Sequence, residues 1–339
     1  MWAVLSSAIA GLAHDRFFLI LAALLADAVL PTMPAVGRLF PSPVRSARAF
    51  GIWLTHRLDR KRRSEATRLV RGLAAALLTL AAVAAAGVAI EYAAARSYAG
   101  AAIEFLIVLT ILGQRALVVQ VRGVARALAR GPGGLDAARK SLLALIEPGW
   151  DVLAVDRHGV ARIAIEGLAT GLAERVVAPV FWYLLLGLPG LLGAVAINGI
   201  AVRGSSETRF GFAALRLDDL IQFPPARLAG AICVLAACIA PMGRPAAALR
   251  TMAKDARKHP SLNRGWPIAA FAGALDLSLA GPRRRADGVG APAPWIGSGR
   301  ARAECGDVYH ALYLFGAACL IDFVLIAALA LARYAAGAG

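Results

Sequence analysis

The sequence predicts an all-α, polytopic integral membrane protein: a helical bundle with re-entrant or broken helices and cytoplasmic loops. Three observations predict it. Of 339 residues, 59% are hydrophobic and only 17% are charged, where soluble domains carry about 25% charged residues; the mean hydropathy is +0.65. The apolar residues fall in runs near the ~20 residues that cross a bilayer. The basic residues, which make the net charge +16, gather in a few loops between those runs. A single membrane domain over 1–339 follows.

Each element follows in order. Residues 17–30 form a first apolar segment, ended by Pro31 and Pro34; no basic flank or small-residue cleavage site accompanies it, so it reads as a retained span. Residues 72–90 are uninterrupted and make the clearest span. Residues 101–121 are a third, interrupted by Glu104, Gln114 and Arg115. Residues 122–175 read as a cytoplasmic linker with helices. Within them Gly131-Pro-Gly-Gly134 is a flexible linker ahead of a helix at 135–146, and Arg122, Arg126 and Arg130 recur at i, i+4 on one solvated or headgroup-facing surface. Residues 176–282 form a broken-helix region: 176–202 is long enough to cross, but Leu188-Pro189-Gly190 breaks it, and 228–240 stops at Pro241. Residues 283–311 read as a mobile loop, on the Gly, Pro and Arg content of 281–303. The last span is 312–332, with Asp322 inside it.

Loop charge sets orientation. Residues 38–71 hold ten Arg or Lys, 115–175 hold nine and 244–302 hold eleven, whereas 91–100 hold only Arg96. Basic loops stay on the cytoplasmic side, so the three rich loops are cytoplasmic. In such a chain a positive balance reports topology rather than nucleic-acid binding, and no basic patch interleaved with aromatics is present.

Most motif chemistry is excluded. There is no phosphate-binding Gly-Lys loop, no dinucleotide fingerprint, no zinc-protease helix and no nucleophile elbow. Cys233, Cys238, Cys305 and Cys319 lack metal spacing and read as small hydrophobes. Polar residues between helices must therefore carry any site. Candidates are Asp151, Asp156 and Glu166; Asn198; Asp218 and Asp219, followed by Pro224, Pro225 and Arg227; and His259, Ser261, Asn263 and Gly265. Two adjacent carboxylates in an apolar setting repel and are costly to desolvate, so something must offset them. Blander readings stand beside these. Asp218 and Asp219 would cap a helix starting at Leu220, Arg227 would snorkel, Asn263 would serve a turn, and His259 would be structural. Glu104 and Asp322 suggest an ion path, or pairing with an Arg such as Arg115 or Arg333.

Several of these stretches, in this order, resemble the CobD/CbiB family of cobalamin-biosynthesis membrane proteins, the adenosylcobinamide-phosphate synthases. The resemblance runs from Pro41-Ser-Pro-Val-Arg45 to about Gly299. It is most specific in Phe210-Gly211, in Ala214-Leu-Arg-Leu-Asp218-Asp219 and in Pro225-Ala226-Arg227, and again in His259-Pro-Ser-Leu-Asn-Arg-Gly265. It departs at 170–175, where only Glu174 keeps an acid, and at 199–204, where acidic and amide positions of the family pattern are missing; Trp150, Leu262 and Ile268 also differ.

The resemblance implies a ligase forming a carbon–nitrogen bond, joining aminopropanol or its phosphate to adenosylcobyric acid. It implies ATP and Mg²⁺, with Asp218 and Asp219 holding Mg²⁺ and Arg227 as a phosphate or carboxylate fork; these three are the catalytic candidates. Asp151, Asp156, Glu166, Asn198, Ser261, Asn263 and Gly265 are the substrate-binding candidates. The expected partners are a corrinoid substrate, the lipid bilayer and other cobalamin-pathway enzymes, at a bacterial inner membrane and with no nucleic acid. The alternatives are a relative that kept the fold as a regulatory or scaffold membrane protein, and a corrinoid or ion transporter.

Overall fold

A computed structural model describes residues 15–30, 46, 49–50, 53–54, 57–60, 62–143, 145–146, 150–203, 209–284 and 289–337. The early motif at 41–45 lies outside the described residues. Those described are mainly helical, with four two-residue strands, as the hydropathy pattern predicts. Helices long and apolar enough to cross a membrane are Glu65–Ala94, Tyr98–Ala129, Arg157–Ala201 and Cys305–Ala336, and the pair Phe210–Ile221 and Phe223–Ala236, bent by 46°, is a broken fifth span or a re-entrant loop. The residues group into two compact units.

The first unit contains α1 (Arg16–Val29), α2 (Glu65–Ala94), α3 (Tyr98–Ile111) and, later in the chain, α7 (Ala178–Arg203) and α8 (Arg209–Ile221). Asp15 caps α1 by accepting from Phe17 N–H at 2.8 Å, and Ser64 and Ser97 cap α2 and α3. The α1 helix has 14 residues, about 21 Å at 1.5 Å per residue, which is shorter than a bilayer core. Small residues let α2 pack tightly: Ala76 joins Ile197, Ile200 and Ala214 in one buried cluster.

The expected break in the 176–202 segment is present, one residue earlier than Leu188. Gly187 takes φ 70° and ψ −153° inside α7, a region almost restricted to glycine. Pro189, two residues on, cannot donate to the preceding turn. The α2 backbone passes close behind: a Cβ at Gly87 would lie 2.7 Å from the Pro189 nitrogen.

The second unit contains α4 (Gln114–Ala129), α5 (Leu135–Leu142), α6 (Arg157–Leu172), α9 (Phe223–Ala236), α10 (Pro245–Asp255), α11 (Gly265–Leu275) and the Cys305–Leu325 part of α12 (Cys305–Gly337). The expected third span is interrupted at Leu112–Gly113, between α3 and α4, rather than by its polar residues. Gly131–Gly134 is a 3-10 turn rather than a loose linker. A π-helical turn, Ala173–Val177, follows α6.

Two further expectations are corrected. Asp218 and Asp219 do not precede a helix; they lie in the last turns of α8. The Phe-Pro-Pro stretch starts α9 instead, because proline lacks the N–H that a first turn leaves unused and its fixed φ suits that position. The stretch 281–303, read as a mobile loop, holds paired strands: β1 (Leu279–Ala280) with β4 (Trp295–Ile296), and β2 (Arg283–Arg284) with β3 (Gly290–Ala291). Buried Leu279 and Ile296 face the core. The Gly297 N–H donates to Asp255 at 2.9 Å, and the Ser278 hydroxyl donates to the Gly297 and Gly299 carbonyls. Those bonds satisfy a short hairpin's backbone without a long strand ladder.

Candidate functional site

In the second unit, two candidates 36 residues apart in sequence meet. The α9 helix presents Arg227 one turn after its start. Its Nη1 donates to Asn263 Oδ1 at 2.5 Å and to the Phe223 carbonyl at 3.0 Å, and its Nη2 donates to the Leu262 carbonyl at 3.3 Å. The Phe223 and Trp266 rings lie 3.5 and 4.8 Å from the guanidinium carbon, a cation–π setting that orients the group. A guanidinium carries five N–H donors. Three are used here, which leaves two beyond these contacts for a carboxylate or phosphate. The group remains a cation under all ordinary conditions.

The loop that carries Asn263 is built by its own side chains. The Ser261 N–H donates to His259 Nδ1 at 2.9 Å, and Ser261 Oγ accepts from the Asn263 and Arg264 N–H groups at 3.4 Å. Ser261 thus tethers the entry to α11. Gly265 is needed for close approach, since a Cβ there would run into the Ala256 carbonyl and lie 2.8 Å from the His259 Cβ. Burial pushes the His259 imidazole down to about 4; the Ser261 backbone opposes this, and the Arg264 and Arg283 charges add to it. The ring is therefore neutral and structural, consistent with Nδ1 accepting a hydrogen bond. Arg264 Nε donates to Glu174 Oε1 at 2.8 Å, which ties the π-helical turn to the same loop.

In the first unit, Asn198 Nδ2 donates to Asp218 Oδ1 at 3.3 Å, bringing α7 and α8 together. Asp219 pairs with Arg216 at 3.2 Å on its own helix. Successive helical residues leave the axis about 100° apart, so the two carboxylates separate rather than chelate. Among the described residues there is no group of three or more His, Cys, Asp or Glu able to hold a metal ion.

The remaining candidates have other partners. Asp156 caps α6, accepting from Gly159 N–H at 2.7 Å. Asp151 Oδ1 accepts from the Leu153 and Ala154 N–H groups at 3.1 Å, a local turn. Glu166 is buried and accepts from Ala280 N–H at 2.9 Å and from Arg283. A buried carboxylate needs such partners, and these hold the β1–β4 hairpin to α6.

Sequence reasoning missed the polar group at the α7 break. Glu91 Oε1 accepts from Leu188 N–H at 2.8 Å, and Arg16 lies 3.3 Å from the same carboxylate. The signal was an acid at the end of an apolar run, which is costly unless paired. Glu104 accepts from the buried Tyr183 hydroxyl at 2.7 Å. Arg333 pairs with Asp15 at 3.5 Å, and Asp322 Oδ2 is buried without a hydrogen-bond partner among the described residues; the expected Asp322–Arg333 pair is not formed.

The chain is similar in sequence to known proteins. A family model described as CobD/Cbib protein matches residues 20–315. The chain is 42% identical over 224 residues to Cobalamin biosynthesis protein CobD of Brucella suis biovar 1 (strain 1330), covering 64% of this chain and 67% of that one. It is 38% identical over 283 residues to Cobalamin biosynthesis protein CobD of a Sinorhizobium species, covering 81% and 86%. It is 36% identical over 252 residues to the protein of that name in Rhodobacter capsulatus, covering 73% and 77%. No solved structure matches.

Proposed function

The chain belongs to the CobD/CbiB family, and on that premise we propose that it acts in cobalamin biosynthesis as a membrane ligase, joining an aminopropanol or its phosphate to adenosylcobyric acid through an amide. The observation that carries this reading is the Arg227–Asn263 contact. It joins two of the most specific family-like stretches, and it leaves guanidinium donors to spare beside two aromatic rings.

The chemistry sets the roles. A carboxylate is a poor acyl donor at neutral pH, so its oxygen must first become a leaving group, as happens when ATP phosphorylates it. The amine nitrogen then attacks the acyl carbon, the C–N bond forms, phosphate leaves with the C–O electrons, and the amine gives up a proton. Negative charge develops on the acyl oxygen and on the phosphate. In this reading Arg227 meets such charge as a fork held by Asn263, itself buried. Asp218, which accepts from Asn198 at 3.3 Å, remains a catalytic candidate on the resemblance. Asp219 is drawn aside by Arg216. The separated carboxylates do not fit an Mg²⁺ site made by the protein alone, so no step is routed through that ion. The bacterial inner membrane is the matching location, where the bilayer would keep a bulky intermediate near other enzymes of the pathway.

Complementation tests the proposal. The gene is expressed in a strain lacking its own synthase and grown on adenosylcobyric acid. Growth that Arg227→Lys and Asp218→Asn each remove supports the ligase. No growth from a wild-type protein that inserts normally overturns it in favour of a scaffold. Corrinoid uptake into proteoliposomes without nucleotide would point to transport.

A further inference from the structure

We infer that the second unit carries a binding site for an anionic phospholipid, separate from the residues assigned to amide formation. A cavity of about 430 Å³ is lined by Val118, Arg122, Arg126, Tyr309, Leu312, Tyr313 and Gly316, within the range of small-molecule sites. Its two long walls are α4 and α12. Arg122 and Arg126 are one turn apart on α4, and Tyr309 and Tyr313 are one turn apart on α12, so each helix presents a paired row to the cavity.

The lining is graded along the helices. At one end stand the two exposed arginines and the Tyr309 hydroxyl. The Cys305 thiol donates to the Ala125 carbonyl at 3.2 Å and holds the start of α12 against α4 there. At the other end stand Val118 and Gly316, with Leu312 and Tyr313 between. Gly316 has nothing within 4 Å of where a Cβ would be, so it leaves a slot open. Past it α12 continues with exposed Leu320 and Val324 inside a segment long and apolar enough to span a membrane.

This polarity fits one ligand chemistry. Two cationic forks and the Tyr309 phenol suit a phosphodiester, and the adjoining slot suits the start of an acyl chain. Tyrosines at such a boundary are characteristic of the membrane interface. Among the described residues neither arginine forms an ion pair with a carboxylate, so their charge is not neutralised there. A soluble anion would use the arginines alone and leave the slot empty; the lipid uses both.

The test is lipid retention by the full-length protein. The chain is reconstituted in nanodiscs holding equal dioleoyl-phosphatidylglycerol and dioleoyl-phosphatidylcholine, and co-purifying lipid is counted by native mass spectrometry. Each arginine near the surface contributes about a fivefold preference for anionic lipid, so the pair gives roughly thirtyfold. Arg122→Gln with Arg126→Gln should reduce the preference to near unity. Gly316→Leu should displace the lipid with both arginines still present. Both variants keep their melting temperature in pure phosphatidylcholine, because these positions face open space. Equal retention of the two lipids by the wild type overturns the inference whatever the variants do. So does a preference unchanged in the double variant, and so does displacement of phosphatidylglycerol by millimolar inorganic phosphate, which would mark a soluble-anion site.

Discussion

At the α7 break, two donors close on one acceptor: Leu188 N–H and Arg16 both reach Glu91. Around Arg227 the arrangement is inverted, with one guanidinium spread over three acceptors and donors left over. The first arrangement satisfies a backbone discontinuity within an apolar helix. The second keeps a cation oriented but incompletely used. The two half-buried sites therefore differ in what their charge serves: at Glu91 a carboxylate satisfies a backbone N–H of its own fold, and at Arg227 a guanidinium keeps donors beyond its own contacts.

The largest expected effect breaks the first arrangement. Gly187→Ala places a Cβ on a backbone at φ 70° and ψ −153°, 2.7 Å from Arg16 Nη2. Strain of that kind costs up to about 3 kcal/mol before the clash, and thermal melting in detergent should show the loss, with little protein inserted. Next, Arg227→Lys should lower amide formation by about 100-fold, since an ammonium lacks the planar fork, while the melting temperature changes little. Equal damage to both readouts would erase the distinction between the two regions. Glu91→Gln keeps an acceptor for Leu188 but loses the charge facing Arg16; about 1–2 kcal/mol of stability should go, with activity per folded molecule retained.

A further effect concerns pH. The His259 imidazole sits at about 4 in the folded chain, against an ordinary value near 6.5. Between those values the unfolded chain binds more protons, so stability rises with pH over that window and is lost as pH falls through it. A melting series from pH 4.5 to 7 should show this slope, and His259→Gln should flatten it.

Much of the fold was legible because hydropathy acts locally. The uninterrupted run at 72–90 and the last span at 312–332 appear inside α2 and α12. The Pro-Gly signal at 188–190 located the α7 break within a residue or two. The expected cap at Asp218 and Asp219 fails because they lie inside a helix that ends at Ile221, and Pro224 and Pro225 open the next one. The 281–303 hairpins were missed because two-residue strands leave no alternation to detect. For the site, residue types were legible and partnerships were not. Asp156 looked like a ligand until it proved a cap, and Glu166 until Ala280 and Arg283 were seen to share it.

Composition and periodicity by themselves determined that this chain is a membrane-spanning bundle of helices with basic loops, because burying apolar surface and satisfying backbone groups in lipid depend on residues near one another in sequence. The tertiary structure alone decided that Glu91 serves Leu188, that Asn198 holds Asp218 and that Asn263 leaves Arg227 with donors to spare. Hydrogen bonds between residues far apart in the chain follow from how helices pack, and no local pattern encodes which donor will meet which acceptor.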